Sequence, residues 1–387
     1  MRAYKGIPRV TLAGKENRKD CRQVNTSNAN AAPKLEICKR TNLLQKPQDE
    51  SKLSFGRIFT DHMLMMKYRK GEGWYSAAIE PFGDLSLSPA ALVLHYAQEI
   101  FEGMKAYRTP DGKVQLFRPW DNIARLARSG ARMSMPLFDE KFVLDALYQL
   151  VRLDQDWIPT APGTSLYIRP TCIGVDPYVG VAAAEEYLLY VILSPVGAYY
   201  PTGLAPVDIM VESKYVRAVR GGTGAHKAGA NYGVSLLAGE EAHEKGYSQV
   251  LWLDGIENKY VEEVGSMNIF FNINGTLVTP ALQGSILPGI TRDSVMTLAK
   301  DKGIPLEERR ISIDELDAAS KDGSLIEVFG TGTAAVISPV KRLVWQEKEI
   351  LVGDGSTMGE VTHWLYDTLT GIQTGTVADP YGWTVTL

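Results

Sequence analysis

Lys227 lies in GGTGAHKAGANYG, residues 221 to 233, where one ammonium group stands in a run of glycine and alanine. Lysines ordinarily occupy solvated faces among polar neighbours, whereas small residues let a backbone or a ligand approach closely. Three readings of such a lysine compete: a flexible surface loop, a glycine loop that cradles phosphate, and a side chain held in a pocket as a covalent nucleophile. Glu263 in VEEVGSMN is a second outlier, because a carboxylate in strand-like apolar text is costly unless it meets a proton or a cation. In ILPGITRDSVMTLAKDKG a helix beginning near Thr291 presents free amides and a positive dipole end to an anion.

FGTGTAAV, residues 329 to 336, adds a second small-residue turn able to converge amides on an oxyanion. Its glycines, Gly330 and Gly332, lack the third glycine of a dinucleotide loop, and a tight turn between buried strands is the plainer alternative. Arg118 in LFRPWDN has the fork to clamp a phosphate, with a surface salt bridge as its ordinary fate. An acid, a lysine, an arginine and two amide-rich turns make a coherent set for a phosphate-bearing nitrogen heterocycle. Pyridoxal phosphate fits each part: a lysine amine forms a Schiff base with its aldehyde, a carboxylate keeps its ring nitrogen protonated, and the turns hold its phosphate.

The elements that must position these groups follow from periodicity. After Pro119, Asp121 or Asn122 is the expected cap of a helix with Ile123, Ala127 and Ala131 on one face. DEKFVLDALYQLVRLDQ predicts a second helix, acidic at its start. SLYIRPTCIG and EYLLYVILSP read as buried strands, as do VDIMVES and SQVLWLDG, and Asn274-Gly275 signals a hairpin turn. The Pro/Gly/Tyr-rich stretch 194–203 is the expected interdomain loop, between a small α/β domain at 51–193 and a larger domain at 204–387.

A chain of 387 residues is long enough for two cores, and 45% hydrophobic with 22% charged residues matches a globular protein without a membrane span. A formal net charge of −4 offers no basic footprint for nucleic acid, so a small-molecule substrate is expected. Three scattered cysteines do not make a disulfide framework and fit a reducing compartment, and five histidines show no metal-ligand spacing, so no metal site is expected. His226, beside Lys227, reads first as a histidine with a local hydrogen-bond partner. Residues 1–50 are basic at the start and lack apolar periodicity. They read as mostly disordered, and a mitochondrial transit segment and a cytoplasmic tail stand as equal alternatives, leaving mitochondrial matrix or cytoplasm open.

FTDHML, LHYAQEIFEGMKAY, LFRPWDN, SLYIRP, YVRAVRGGTGAHKAGANYG, QVLWLDG, EVGSMNIF, ILPGITR and VFGTGTA occur in this order between residues 51 and 385. The chain thereby resembles the branched-chain amino acid aminotransferases, class IV pyridoxal phosphate enzymes of fold type IV, particularly their eukaryotic branch. The resemblance implies an α+β or α/β architecture of two domains, the second β-rich, assembled as a homodimer. It implies that Lys227 carries the cofactor, that Tyr232 bonds its phenolic oxygen and that Glu263 meets its ring nitrogen. Arg118, Ile290, Thr291 and Thr333 would surround the phosphate, with Ser266 in place of a common threonine.

For substrate the resemblance points to Phe55, Tyr96, Phe101, Tyr167, Val179, Val181 and Ala334 as walls, some from a partner subunit. Arg169 with the hydroxyls of Tyr96 and Tyr167 would receive the second carboxylate of glutamate. Where some vertebrate relatives carry a CxxC pair, this chain has Ala335 and Ser338. The implied reaction is reversible transamination of L-leucine, L-isoleucine and L-valine with 2-oxoglutarate. Rivals are a D-amino acid aminotransferase or an aminodeoxychorismate lyase of the same fold type, a nucleotide-binding dehydrogenase and a non-enzymatic binding module.

Overall fold

The computed structural model describes residues 33–197 and 204–387, together with the backbone of a short strand at Cys21–Gln23. Two compact units emerge, Met1–Gly197 with Trp383–Leu387, and Ala198–Gly382. The first is built on a ten-stranded sheet. Ser165–Gly174 and Glu186–Val196 pair antiparallel along their full length, and His62–Arg69 pairs with the latter on its other side. Side chains alternate between the faces of a strand. Leu64 and Met66 accordingly join the main core with Leu147, Leu189 and Val191, while Met63 and Met65 join a smaller cluster with Ile173 and Leu188. Two covered faces explain why these strands read as unbroken apolar text.

The helix Glu140–Leu153 starts at Asp139, whose carboxylate accepts from the Phe142 amide at 2.9 Å. The helix Pro119–Arg132 departs from expectation at both ends. Its cap is Arg118 in a left-handed conformation (φ 48°, ψ 42°), with no side-chain capping bond from Asp121 or Asn122, because proline at the first helical position already removes one donor. Ala131 is exposed, and Leu126 and Gly130 are buried in its stead. A four-residue step drifts by about 40° around a helix of 3.6 residues per turn, so two such steps from Ile123 carry position 131 off the core.

The expectation of disorder through residue 50 is corrected from residue 33 onward. Leu35 is 2% exposed within the core of the first unit, and Glu36–Cys38 pairs with Gly73–Pro81. The Arg40 amide donates to His62 Nε2 at 2.8 Å, and His62 Nδ1 lies 2.6 Å from Asp154 Oδ1, so a buried imidazole bridges this strap to the interior. Residues 1–20 and 24–32, where the tail or targeting segment was expected, lie outside the described residues. Cys38 is disulfide-bonded, which withdraws the support that isolated thiols gave to a reducing compartment, while Cys172 is free and buried.

Two boundaries also move. Ser194–Val196 complete a strand, and residues 198–203 of the expected interdomain loop lie outside the described residues. Thr384–Thr386 pairs with Val114–Phe117, so residues 383–387 belong to the first unit and not with 204–387.

The second unit holds a nine-stranded mixed sheet. Val207–Val211 runs parallel to both Gln249–Leu253 and Val336–Trp345, and the pairings of Asn268–Ile273 are antiparallel. Asn274 and Gly275 both have positive φ (50° and 82°), as a two-residue hairpin turn requires. Gly224 is demanded by contact: a Cβ there would collide with the carbonyl oxygen of Ser285 and with Ala218. Among the described residues no helix is long and apolar enough to cross a membrane.

Leu35→Ala should lower stability by about 2–5 kcal/mol, read in a denaturant midpoint, whereas a disordered residue would leave it unchanged. Gly224→Ala should cost about 1–3 kcal/mol by overpacking. Gly239→Ala is its control: this helical glycine has nothing within 4 Å of an added Cβ, and the change should be neutral or stabilising in the same measurement.

Candidate active site

The loop before Lys227 is fixed by one buried amide. Asn231 Nδ2 donates to the carbonyls of Thr223 and His226, 2.8 Å each, and its Oδ1 accepts from Thr223 Oγ1 at 2.6 Å. Asn231 belongs to the short helix Gly229–Gly233, so the loop is tied to the helix that follows it and Lys227 is set between the two. Lys227 is half-buried, and its Nζ lies 2.9 Å from the hydroxyl of Tyr232 in that short helix. A flexible surface loop does not describe this lysine.

A cleft of about 330 Å³ is lined by Arg217, His226, Tyr232, Glu263, Ser266 and Leu287, among others. Glu263, 3% exposed on the strand Val261–Val264, accepts from the Leu287 amide at 2.9 Å and from Asn268 Nδ2 at 3.3 Å through Oε1. Its Oε2 is 3.1 Å from Arg217 Nε. Burying a carboxylate is tolerable when a cation and donors converge on it, and both do.

The elements expected to receive an anion adjoin this strand. The helix Ile290–Asp301 begins at Ile290 and Thr291, and Gly289 before it provides no side-chain cap. A Cβ on Gly289 would collide with Asn268 Oδ1, so the helix start is seated on the residue that also touches Glu263. Asn268 stands opposite Thr331 in the sheet, which brings the loop holding Ser266 beside the Thr333–Ala334 turn. Val336, at the end of that turn, has φ 61°. A β-branched residue in the left-handed region is a costly exception, of the kind that collects at binding sites.

In the first unit Phe55 and Tyr167 meet edge to face at 4.7 Å, and the Arg169 guanidinium lies 4.7 Å from the Phe101 ring centre. Arg169 donates to the Tyr167 hydroxyl at 3.2 Å. These four expected residues are gathered together. Tyr96 is not with them in hydrogen bonding: its hydroxyl donates to the carbonyl of Val179, in the exposed loop that also carries Val181. The Tyr96 hydroxyl, expected with Arg169 and the Tyr167 hydroxyl to receive a substrate carboxylate, is engaged here by a backbone acceptor. Arg118 forms a 2.6 Å ion pair with Asp121 and packs over Trp383, with its side chain 12% exposed. Its left-handed backbone costs about 1–3 kcal/mol.

Sequence reasoning missed Arg217 and Asn268. Arg217 precedes Lys227 by ten residues in loop text that has no period, and only the fold brings it to Glu263. Asn268 reads as an ordinary polar residue at a strand start; its signal was the close succession Glu263, Ser266, Asn268.

The family model for amino-transferase class IV matches residues 99–343, more than half of the chain. The chain is 58% identical over 341 residues to branched-chain-amino-acid aminotransferase 2 of Bacillus subtilis (strain 168), covering 88% of this chain and 94% of that protein. It is 47% identical over 363 residues to the branched-chain-amino-acid aminotransferase of Mycolicibacterium smegmatis, covering 92% and 96%. A solved Escherichia coli branched-chain amino acid aminotransferase is similar in fold, with a TM-score of 0.67, 30% identity, and coverage of 84% of this chain and 98% of that one. A T.th. branched-chain amino acid aminotransferase, solved with pyridoxamine 5'-phosphate, is similar at a TM-score of 0.66 and 26% identity over 83% and 97%. A half-buried lysine with a phenol on its nitrogen, a buried acid in the cleft that this phenol lines, and this match together place the chain in the class IV aminotransferases.

Proposed function

We propose that this protein is a branched-chain amino acid aminotransferase that uses pyridoxal phosphate to exchange the amino group of L-leucine, L-isoleucine or L-valine with 2-oxoglutarate. The observation that carries the reading is the 2.9 Å contact of Lys227 Nζ with Tyr232, a residue that lines one cleft with Glu263. Bound pyridoxal phosphate supplies an aldehyde for the amine and a ring that accepts the electron pair left at the substrate Cα.

Lys227 would hold the cofactor through its amine and serve as the base for the substrate Cα proton. The Tyr232 hydroxyl, 2.9 Å from that nitrogen, would orient it and offer a hydrogen bond to the cofactor's phenolic oxygen. Glu263, fixed by Leu287, Asn268 and Arg217, would accept a hydrogen bond from a protonated ring nitrogen. Ile290, Thr291, Ser266 and Thr333 offer amides and hydroxyls to the phosphate, and to Arg118 we assign a further phosphate contact on the strength of the resemblance. Phe55, Phe101, Tyr96, Tyr167, Val179, Val181 and Ala334 are proposed as apolar walls, where each buried methylene contributes about 0.8 kcal/mol without a polar partner. Arg169 is the proposed partner of glutamate's second carboxylate.

A homodimer is supported by the exposed apolar side chains of Tyr178, Val179 and Val181 on one loop, Val181 being 88% exposed. The relatives named above are bacterial, which supports the cytoplasmic reading over a mitochondrial one.

Lys227→Ala should abolish turnover and remove borohydride-trappable cofactor. An active variant would overturn the assignment. Glu263→Gln should reduce kcat by about 100-fold while the cofactor still binds, read by absorbance and steady-state rates. With 2-oxoglutarate as acceptor, L-leucine, L-isoleucine and L-valine should all react and D-alanine should not. Turnover of D-alanine alone would instead identify a D-amino acid aminotransferase.

A further inference from the structure

Glu262 is a buried acid that the chemistry above leaves unused. It adjoins Glu263 on the strand Val261–Val264, and successive strand residues point to opposite faces, so it lines a separate cleft with Arg220, Asp254 and Ser285. It is 8% exposed. Its Oε1 accepts from the Ser285 hydroxyl, its only hydrogen bond among the described residues, and its Oε2 is buried without a partner. Burial pushes its carboxyl above the ordinary range, although Ser285 and Arg217 oppose this.

Ser285 lies in an irregular segment, residues 281–289, that leads into the helix Ile290–Asp301. Beyond Ala281, whose amide donates to the Arg309 carbonyl at 3.2 Å, no strand ladder among the described residues braces this approach. It is held by side chains: Ser285 by Glu262, the Ser285 carbonyl by Arg217, the Leu287 amide by Glu263, and the Leu287 carbonyl by Asn268 at 2.9 Å. Two successive acids of one strand thus grip the segment two residues apart. An acid with a bare oxygen in such a place destabilises the fold unless its position serves something else.

We propose that Glu262 is a positioning residue. Through Ser285 it fixes the approach to Ile290 and sets where the amides of Ile290 and Thr291 stand relative to Glu263. The inference rests on the reading that those amides take phosphate and that Glu263 takes the ring nitrogen. Amides held in place before a ligand arrives bind it without a reorganisation cost, so loosening the latch should weaken the phosphate contact selectively.

The test is fluorescence titration of the apoprotein with pyridoxal phosphate and, separately, with pyridoxal, which has the same ring and aldehyde but no phosphate. Ser285→Ala and Glu262→Leu should each bind pyridoxal phosphate about tenfold more weakly, the equilibrium weight of one hydrogen bond, with pyridoxal affinity unchanged. Glu262→Gln keeps a carbonyl acceptor and Ser285→Thr keeps a hydroxyl, so both should restore affinity. Equal weakening toward both ligands would show a merely structural role and overturn the proposal, as would no weakening at all. If Glu262→Leu fails to fold by thermal denaturation, Ser285→Ala decides. Lys227→Ala, which removes the amine that the aldehyde needs, is the reference variant. Unchanged affinity there would defeat the site assignment itself, whereas loss there with none in Ser285→Ala defeats only the latch.

Discussion

A carboxylate taken out of water must be met by charge and donors, and in this protein the answer to that requirement organises the second unit. Glu263 is met by Arg217 from the loop ahead of Lys227, by the Leu287 amide from the approach to the helix Ile290–Asp301, and by Asn268 from the next strand. Three segments that share no periodicity converge because one oxygen pair needs them. The arrangement costs desolvation and returns geometry, since the loop before Lys227, the approach to the helix Ile290–Asp301 and the strand start at Asn268 are all referred to the same side chain.

Glycine serves this convergence by absence. Gly224 lets the loop before Lys227 pass against the Ser285 carbonyl, and Gly289 lets the helix start sit on Asn268. Within the small-residue run around Lys227, backbone crowding thus accounts for Gly224, and a positive φ of 83° accounts for Gly221. Each unit also carries a non-glycine residue with positive φ at an expected site position or beside one, Arg118 in the first and Val336 in the second.

What could be read from sequence was what depends on short-range chemistry. Lys227 and Tyr232 are near neighbours in the chain, the Asn274-Gly275 turn is set by two residues, and the helix 140–153 announces itself by its apolar stripe. Contacts made by residues distant in the chain were not legible. Arg217 meets Glu263 from a distant loop without pattern, Leu35 is an isolated apolar residue in polar text yet fills a core, and Tyr96 gives its hydroxyl to a backbone carbonyl that no side-chain rule foresees. The cap at Arg118 escaped because arginine has no capping preference; proline at the next position was the available signal.

The pairing of Thr384–Thr386 with Val114–Phe117 bears on the order in which the molecule is made. The first unit lacks an edge strand, and Arg118 lacks the Trp383 ring beneath it, until the whole of the second unit has left the ribosome. Domains otherwise mature in the order of synthesis. Here the earlier one waits on the later, with its sheet edge open to passing chains in the interval.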